Sequence, residues 1–548
     1  MNPYHIYTHA VRAKEVLGIL IRHGFGSLLQ NIDAPPGWIG RIFPDPPPRQ
    51  TIGERLRHVC EDLGPTFIKF GQIVSTRPDL VPAPLIEELK KLRTDVTAVD
   101  FEQIRPVLED EMGKSLENIF SDIPKTPHAS GSIAQVYCAT TAKEQKTVAL
   151  KIQRPGIQRA VHTDLVILSW LAQKLHESLE EVQPYDLPSL VEEMQTGIKQ
   201  ELDFTLEAYN AQYFNTHNPY PEKISAPSPL LEYTTKRVVC FEWVEATPLH
   251  KAKVTSQTGP QLAQTGGNSI FHQIVISGFF HGDPHSGNIL IAPDHHIYLV
   301  DWGLTGHLTR NMRYFLADLF SGAAEQDAEA LVRTISKVAE GKHAFDKQKL
   351  EKSINLVLRR YPEFRSGDES VGRLVIELIY ILGQHGIPIS RDYALLGKAI
   401  TSIEEAASIL DPHFDIREVA VDYLKQLRKE RVAPQQLARD IWFNCESAAR
   451  QFYSIPIHLR QLLYEIEKEK LTLPLRLEGL EHLHCALQRG TTRIALGLIT
   501  AALIVGASLL MASDTGPYLF DMPALGVIGY TLALLLTFTL WWDARRKQ

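Results

Sequence analysis

Cysteine is scarce and scattered. The chain has five, Cys60, Cys138, Cys240, Cys445 and Cys485, with no C-x-x-C spacing. An odd, dispersed set excludes a disulfide framework and points to a reducing compartment. The stretch HLHC at 482–485 lies in a helical pattern with no second ligand pair, so it does not read as a metal site. Runs of basic residues are missing and the formal net charge is -7, which excludes a nucleic-acid-binding arm. The opening stretch lacks a basic segment followed by an unbroken apolar core, and is not read as a signal peptide. It reads as an amphipathic helix, with Val11, Val16, Leu17, Leu20 and Ile21 on the side predicted to pack against the rest. Internal repeats and low-complexity tracts are absent.

Long apolar runs occur in one place only. Ile494 to Ala512 is uncharged and about as long as the hydrocarbon core is thick. Leu525 to Trp542 is a second such segment, ending in the interfacial pair Trp541 and Trp542. Arg489, Arg493, Arg545, Arg546 and Lys547 flank the pair outside, while the short connection carries Asp514 and Asp521. The bias of positive charge predicts a transmembrane helical hairpin with both ends and the large soluble part in the cytoplasm. A bacterial inner membrane fits that layout.

The 548-residue chain is long enough for two or three domains. RIFPDPPPRQ at 41–50 breaks the first helical segment. The period is helical from Thr51, and changes to strands at SIAQVYCATT (132–141) and TVALKIQ (147–153). One long helix is predicted over 188–214, opened by Ser189 and Glu192 as a capping box behind Pro188. RVVCFEWV (237–244) is a strand, NILIAPDHHIYLVD (288–301) a hairpin turning on PDHH, and 310–411 helical. The predicted organisation is an α+β, two-lobed layout. Its parts are an amphipathic segment 1–50, a helical extension 51–125, a smaller lobe 126–247, a larger lobe 248–411, a helical linker 412–490 and two transmembrane helices in 494–542.

HGDPHSGNIL at 281–290 carries the chemistry. His281, Asp283 and His285 alternate and could converge on a metal, but Pro284 and Gly287 interrupt the strand that reading needs. Asp283, Asn288 and Asp301 follow the order of a phosphotransferase: a catalytic aspartate, an asparagine five residues on, and the aspartate of an Asp-x-Gly after a hairpin. One carboxylate orients the acceptor; an amide oxygen and a second carboxylate hold Mg²⁺ on the phosphates of ATP. Lys151 in VALKIQ supplies the phosphate-binding lysine, and Glu207 its partner, since Asp203 and Glu207 share a helical face that Glu201 does not. ASGSIAQV, residues Ala129, Ser130, Gly131, Ser132, Ile133, Ala134, Gln135 and Val136, stands where a glycine-rich loop would cover the nucleotide. Gly282 replaces the arginine of H-R-D, and no A-P-E follows Gly303, so a platform for protein substrates is missing.

KFGQ (69–72), ASGSIAQVY, VALKIQRPG, ELDFTLEAYNA (201–211), HGDPHSGNIL and VDWG together resemble the UbiB family of atypical kinase-like proteins, over roughly residues 50–410. The resemblance implies a protein-kinase-like fold with a helical N-terminal extension lying over the protein-substrate site. It assigns a regulatory role to Lys69, Gly71 and Gln72, with Lys69 reaching Glu201 and Asp203. It implies ATP hydrolysis rather than protein phosphorylation, in support of ubiquinone biosynthesis, with membrane lipids, polyprenyl-phenol precursors and other biosynthetic proteins as partners. The alternatives are a small-molecule or lipid kinase and a non-catalytic, nucleotide-gated scaffold. Gly131 departs from the family's alanine and is expected to loosen the loop by allowing positive φ.

Overall fold

A computed structural model describes residues 3–29, 50–77, 80–92, 97–179, 186–339, 345–361, 370–387, 389–431, 433–434, 480–512, 518–519 and 522–545. The prolines of 44–48, most of the linker 412–490 and the side chains of Trp541 and Trp542 lie outside the described residues. The chain forms two units, Met1–Asp440 and Ile441–Gln548.

In the first unit, helix Pro3–Leu20 buries Ala13, Val16 and Leu17. Val11, expected on that face, is 53% exposed. Arg12 ties the helix down by donating to Asp164 at 2.8 Å and to the Leu63 carbonyl at 2.7 Å. Thr51 and Glu54 form a capping box that opens helix Ile52–Leu63. Gly64, at φ +92°, turns the chain directly into helix Pro65–Val74. Gly71 lets this helix close on its neighbour, since a Cβ there would lie 2.4 Å from Leu92 Cδ1.

The smaller lobe is built on an antiparallel sheet whose longest strands are Ala134–Thr141, Thr147–Gln153 and Val238–Glu242. Strand side chains alternate between faces. Val148, Leu150 and Ile152 enter one core with Ile104, Leu108, Tyr137 and Cys240. Lys151, between them, is therefore delivered to the other face, where Val239 packs with Phe204 and Ala208.

The single helix expected over 188–214 is two: Leu187–Glu201 and Phe204–His217. Asp203 causes the break. Its extended backbone ends one helix, and its carboxylate accepts the Thr205 N–H at 3.2 Å to cap the next. The first helix opens on Asp186, whose side chain accepts from Ser189 N–H, in place of the expected Ser189–Glu192 box.

The larger lobe is helical around short antiparallel strand pairs. Ile289–Ile291 pairs with Ile297–Leu299, and Phe279–His281 with Thr305–His307. Trp302 is 1% exposed, stacked on Phe214 and Phe279 and bonded through its indole N–H to the Leu299 carbonyl. It anchors the end of the hairpin that carries Asp301. Helices Gly259–Phe271, Arg310–Ala324 and Arg391–Leu410 contribute to the core around it.

The second unit holds helices Leu480–Ala512 and Ala524–Arg545. Gly526 and Gly529 let them approach closely: Cβ atoms there would meet Met511 at 2.8 Å and Ala507 at 2.9 Å. The outer surface is apolar, with Leu498, Leu509 and Leu534 each exposed by 66% or more. Among the described residues, one helix segment, Ile494–Ala512, is long and apolar enough to cross a membrane; the second apolar run, Leu525–Phe538, is shorter.

Candidate active site

Lys151 is the hub of the cleft. Its Nζ lies 2.9 Å from both carboxylate oxygens of Glu207 and 2.8 Å from Asp301 Oδ1. Glu207 sits in the first turn of helix Phe204–His217, where the helix dipole favours an anion, and is 4% exposed. Burial works against the Lys151 ammonium, but Asp301 and Glu207 together raise it well above the usual lysine range. Lys151 in turn holds Asp301, whose side chain is half exposed, well below the usual carboxylate range. Glu207 has to share that ammonium, and burial raises it.

Asp301 stands at φ +62°, a left-handed conformation that a non-glycine residue adopts at a cost. The Trp302 anchor on one side and the hairpin on the other maintain it. Such strain is concentrated where side-chain direction matters.

The histidines next to Asp283 are scaffolding. His281 is fully buried; its Nδ1 accepts the Asp283 N–H at 3.0 Å and its Nε2 donates to the Val300 carbonyl at 3.0 Å. Both ring nitrogens are used, and burial keeps the ring neutral. His285 Nδ1 accepts the Gly287 N–H. The metal reading of the alternating triplet therefore fails, because its nitrogens shape the loop. Asn288 donates to the Asp283 carbonyl at 3.1 Å, which leaves the amide oxygen as its group for a cation. An amide oxygen and the Asp301 carboxylate are hard donors of the kind that would suit Mg²⁺.

Two lysines border these acids. Lys69, from helix Pro65–Val74, pairs with Glu201 at 2.7 Å. Burial pulls Lys69 down, and Glu201 more than offsets it, aided by Asp301 and Asp283. Asp203 caps a helix instead of sharing Lys69, because Thr205 N–H and Oγ1 take its Oδ1. The second Glu201 oxygen, Oε2, is buried with no hydrogen-bond partner. Gly71 and Gln72 do not reach the acids; Gln72 donates to the Leu92 carbonyl and Gly71 gives room to Leu92. Lys398, from helix Arg391–Leu410, lies 2.9 Å from Asp283 Oδ2. It escaped the sequence reading, since nothing local connects it to the loop.

The segment Ala129–Val136 folds as a tight turn. Ala129 and Ser130 pair back on Val136 and Gln135, and Gly131 N–H donates to the Ala134 carbonyl. Arg154, also missed, braces it by donating to the Gly131 carbonyl at 2.9 Å and to Ser130 Oγ at 2.8 Å. Ser132 is 5% exposed. Ile133 and Ala134 pack near Phe204. The Gln135 side chain is fully buried on the sheet face opposite Lys151, bonded to Tyr137 OH and to both backbone groups of Val99. Gly131 is not left-handed, and a Cβ there would make ordinary contact, 3.6 Å, with the Ala134 carbonyl. The expected use of positive φ is therefore overturned.

Comparison with protein families settles the ancestry. Residues 91–335 match the ABC1 atypical kinase-like domain, and residues 478–546 match the ABC1/UbiB kinase-like C-terminal domain. The chain belongs to the ABC1/UbiB family of atypical kinase-like proteins. An uncharacterized protein from the hydrogenase 1 5' region of Clostridium pasteurianum is 28% identical, covering 96% of this chain and 97% of the relative. Proteins named as probable protein kinase UbiB are similar too. That of Cellvibrio japonicus is 29% identical over 82% of each chain. That of Xylella fastidiosa strain M23 is 26% identical over 90% of this chain and 91% of its own. The two family matches bracket the chemistry described above: the ABC1 domain contains Lys151, Glu207, Asp283, Asn288 and Asp301, and the C-terminal domain contains the apolar helices. Lys398 falls outside both matched segments.

Proposed function

We propose that this ABC1/UbiB protein is a Mg-ATP-dependent phosphotransferase or ATPase, held at a membrane by its C-terminal helices, that supports ubiquinone biosynthesis. The observation that carries the reading is Lys151 held at hydrogen-bond distance from both Glu207 and Asp301. Lys151 would take phosphate oxygens of ATP, and Glu207 fixes its position. Asp301 and Asn288 would hold Mg²⁺, which supplies charge neutralisation on the phosphates when bound. Asp283 would orient water or an acceptor hydroxyl.

Hydrolysis or transfer to a small acceptor is favoured over protein phosphorylation. Lys69 and Glu201 bring the helical extension into the field of the cleft acids, where a protein substrate would have to enter. The apolar exterior of Ile494–Ala512 supports a membrane anchor, and a membrane-held enzyme suits lipid precursors such as polyprenyl phenols. The deciding experiment follows the label from γ-labelled ATP incubated with the full chain in vesicles containing a phenolic quinone precursor. Label in inorganic phosphate supports the ATPase, label in the lipid supports a lipid kinase, and label retained in ATP despite nucleotide binding contradicts both.

A further inference from the structure

Asp283 is not free, because Lys398 occupies its Oδ2 at 2.9 Å. The lysine belongs to a stripe on helix Arg391–Leu410. Arg391, Leu395 and Lys398 stand at i, i+4 and i+7 and share one face. Arg391 lies over Gly197, one turn before Glu201; a Cβ on Gly197 would be 3.0 Å from its guanidinium. Leu395 rests on Gly282. Lys398 completes the stripe at Asp283. One helix face thus reaches both the segment that ends in Glu201 and the loop between His281 and Asn288.

Stability alone gives a weak reason for a lysine here. The two side chains are 34% and 28% exposed, and pairs so open to solvent contribute little. The chemistry gives a stronger one. Lys151 is engaged by two carboxylates and Lys69 by Glu201. Lys398 has Asp283, the carboxylate that must face the acceptor at the terminal phosphate. A carboxylate held by an ammonium is a poor hydrogen-bond acceptor for a hydroxyl or water until that ammonium finds another anion.

We propose that Lys398 exchanges Asp283 for the terminal phosphoryl oxygens when ATP binds, freeing Asp283 to orient the acceptor. The lysine is then a phosphate-binding residue that distinguishes ATP from ADP, since ADP ends one phosphate short. This rests on the nucleotide reading of the cleft.

The test measures binding rather than turnover. Dissociation constants for Mg-bound adenylyl-imidodiphosphate and Mg-ADP are determined calorimetrically on the full chain in detergent micelles. The proteins are wild type, K398M, K398R, D283N and the double variant D283N/K398M, each with its melting temperature. K398M should lose about tenfold or more in affinity for the triphosphate and none for ADP, the scale of one charge-assisted hydrogen bond. K398R should restore most of that loss. D283N should bind the triphosphate more tightly than wild type, and the double variant should lose the gain. Equal losses for both nucleotides in K398M, or a D283N gain that survives without Lys398, would overturn the exchange. The D283N comparison decides the matter if K398M does not fold. A wild type that binds neither nucleotide would overturn the reading of the cleft and the exchange with it.

Discussion

Leu395 sits on Gly282 so closely that a Cβ on the glycine would lie 2.8 and 2.9 Å from its two methyl groups and 3.0 Å from the Leu304 carbonyl. This contact explains why an ordinary kinase arginine is absent beside Asp283. Helix Arg391–Leu410 fills the space, and only hydrogen fits between it and the loop. Gly282→Ala is expected to cost about 1–3 kcal/mol through overpacking. Urea denaturation checks this, and an unchanged midpoint would show that the helix shifts freely away from the loop.

Gln135 is predicted to act on stability, not on nucleotide. Its amide satisfies Tyr137 OH and both backbone groups of Val99, joining the strand to the chain that arrives from the extension. Gln135→Ala leaves those groups unpartnered, at a cost of about 2 kcal/mol. The nucleotide dissociation constant should stay within about twofold of wild type, a change too small to reflect a lost hydrogen bond. A large loss of affinity with unchanged melting would reverse the assignment.

Removing Lys151 should be costly even without ATP. Lys151→Met strands Glu207, 4% exposed, with its cation gone, and loss of one partner of a buried pair costs roughly 3 kcal/mol. Glu207→Gln in the same background removes the stranded charge, so the double variant should recover part of the loss. Additive losses in the double-variant cycle would mean that the two side chains act independently.

Acid should weaken the fold through Asp301. Lys151, Lys69 and His281 face its carboxylate, and Lys151 chiefly holds it below its unfolded range. A carboxylate depressed in this way contributes stability that is fully present above the unfolded value, about 4, and is lost as pH falls through the folded one. Asn tolerates the left-handed φ of +62°, so Asp301→Asn keeps the geometry and removes the titration. The stability difference between wild type and this variant should shrink steadily below about pH 4. A difference independent of pH would show that Asp301 gains nothing from its ammonium.

Legibility followed distance along the chain. Asp283, Asn288 and Asp301 share one loop and hairpin, so their order could be read directly. Lys151 was marked by its place in VALKIQ, and Glu207 by helical spacing. The break at Asp203 was invisible to that spacing, because a short acidic side chain can abandon the helix interior to cap a new start. Glu207 still reaches Lys151, since it begins the second helix rather than continuing the first. Lys398 and Arg154 were not legible. One arrives by packing of a distant helix, and the other bonds the carbonyl of a turn, and neither leaves a local pattern. Gly131 misled for a related reason: a glycine permits positive φ without requiring it, and the backbone here does not use it.

The central claim is tested most directly by Mg-dependent ATP turnover of the full chain, with and without anionic vesicles carrying a phenolic quinone precursor, beside Asp301→Asn. Turnover that rises with the vesicles and disappears in the variant is the predicted result. Nucleotide binding with no turnover on any membrane, or turnover that persists in Asp301→Asn, would contradict it.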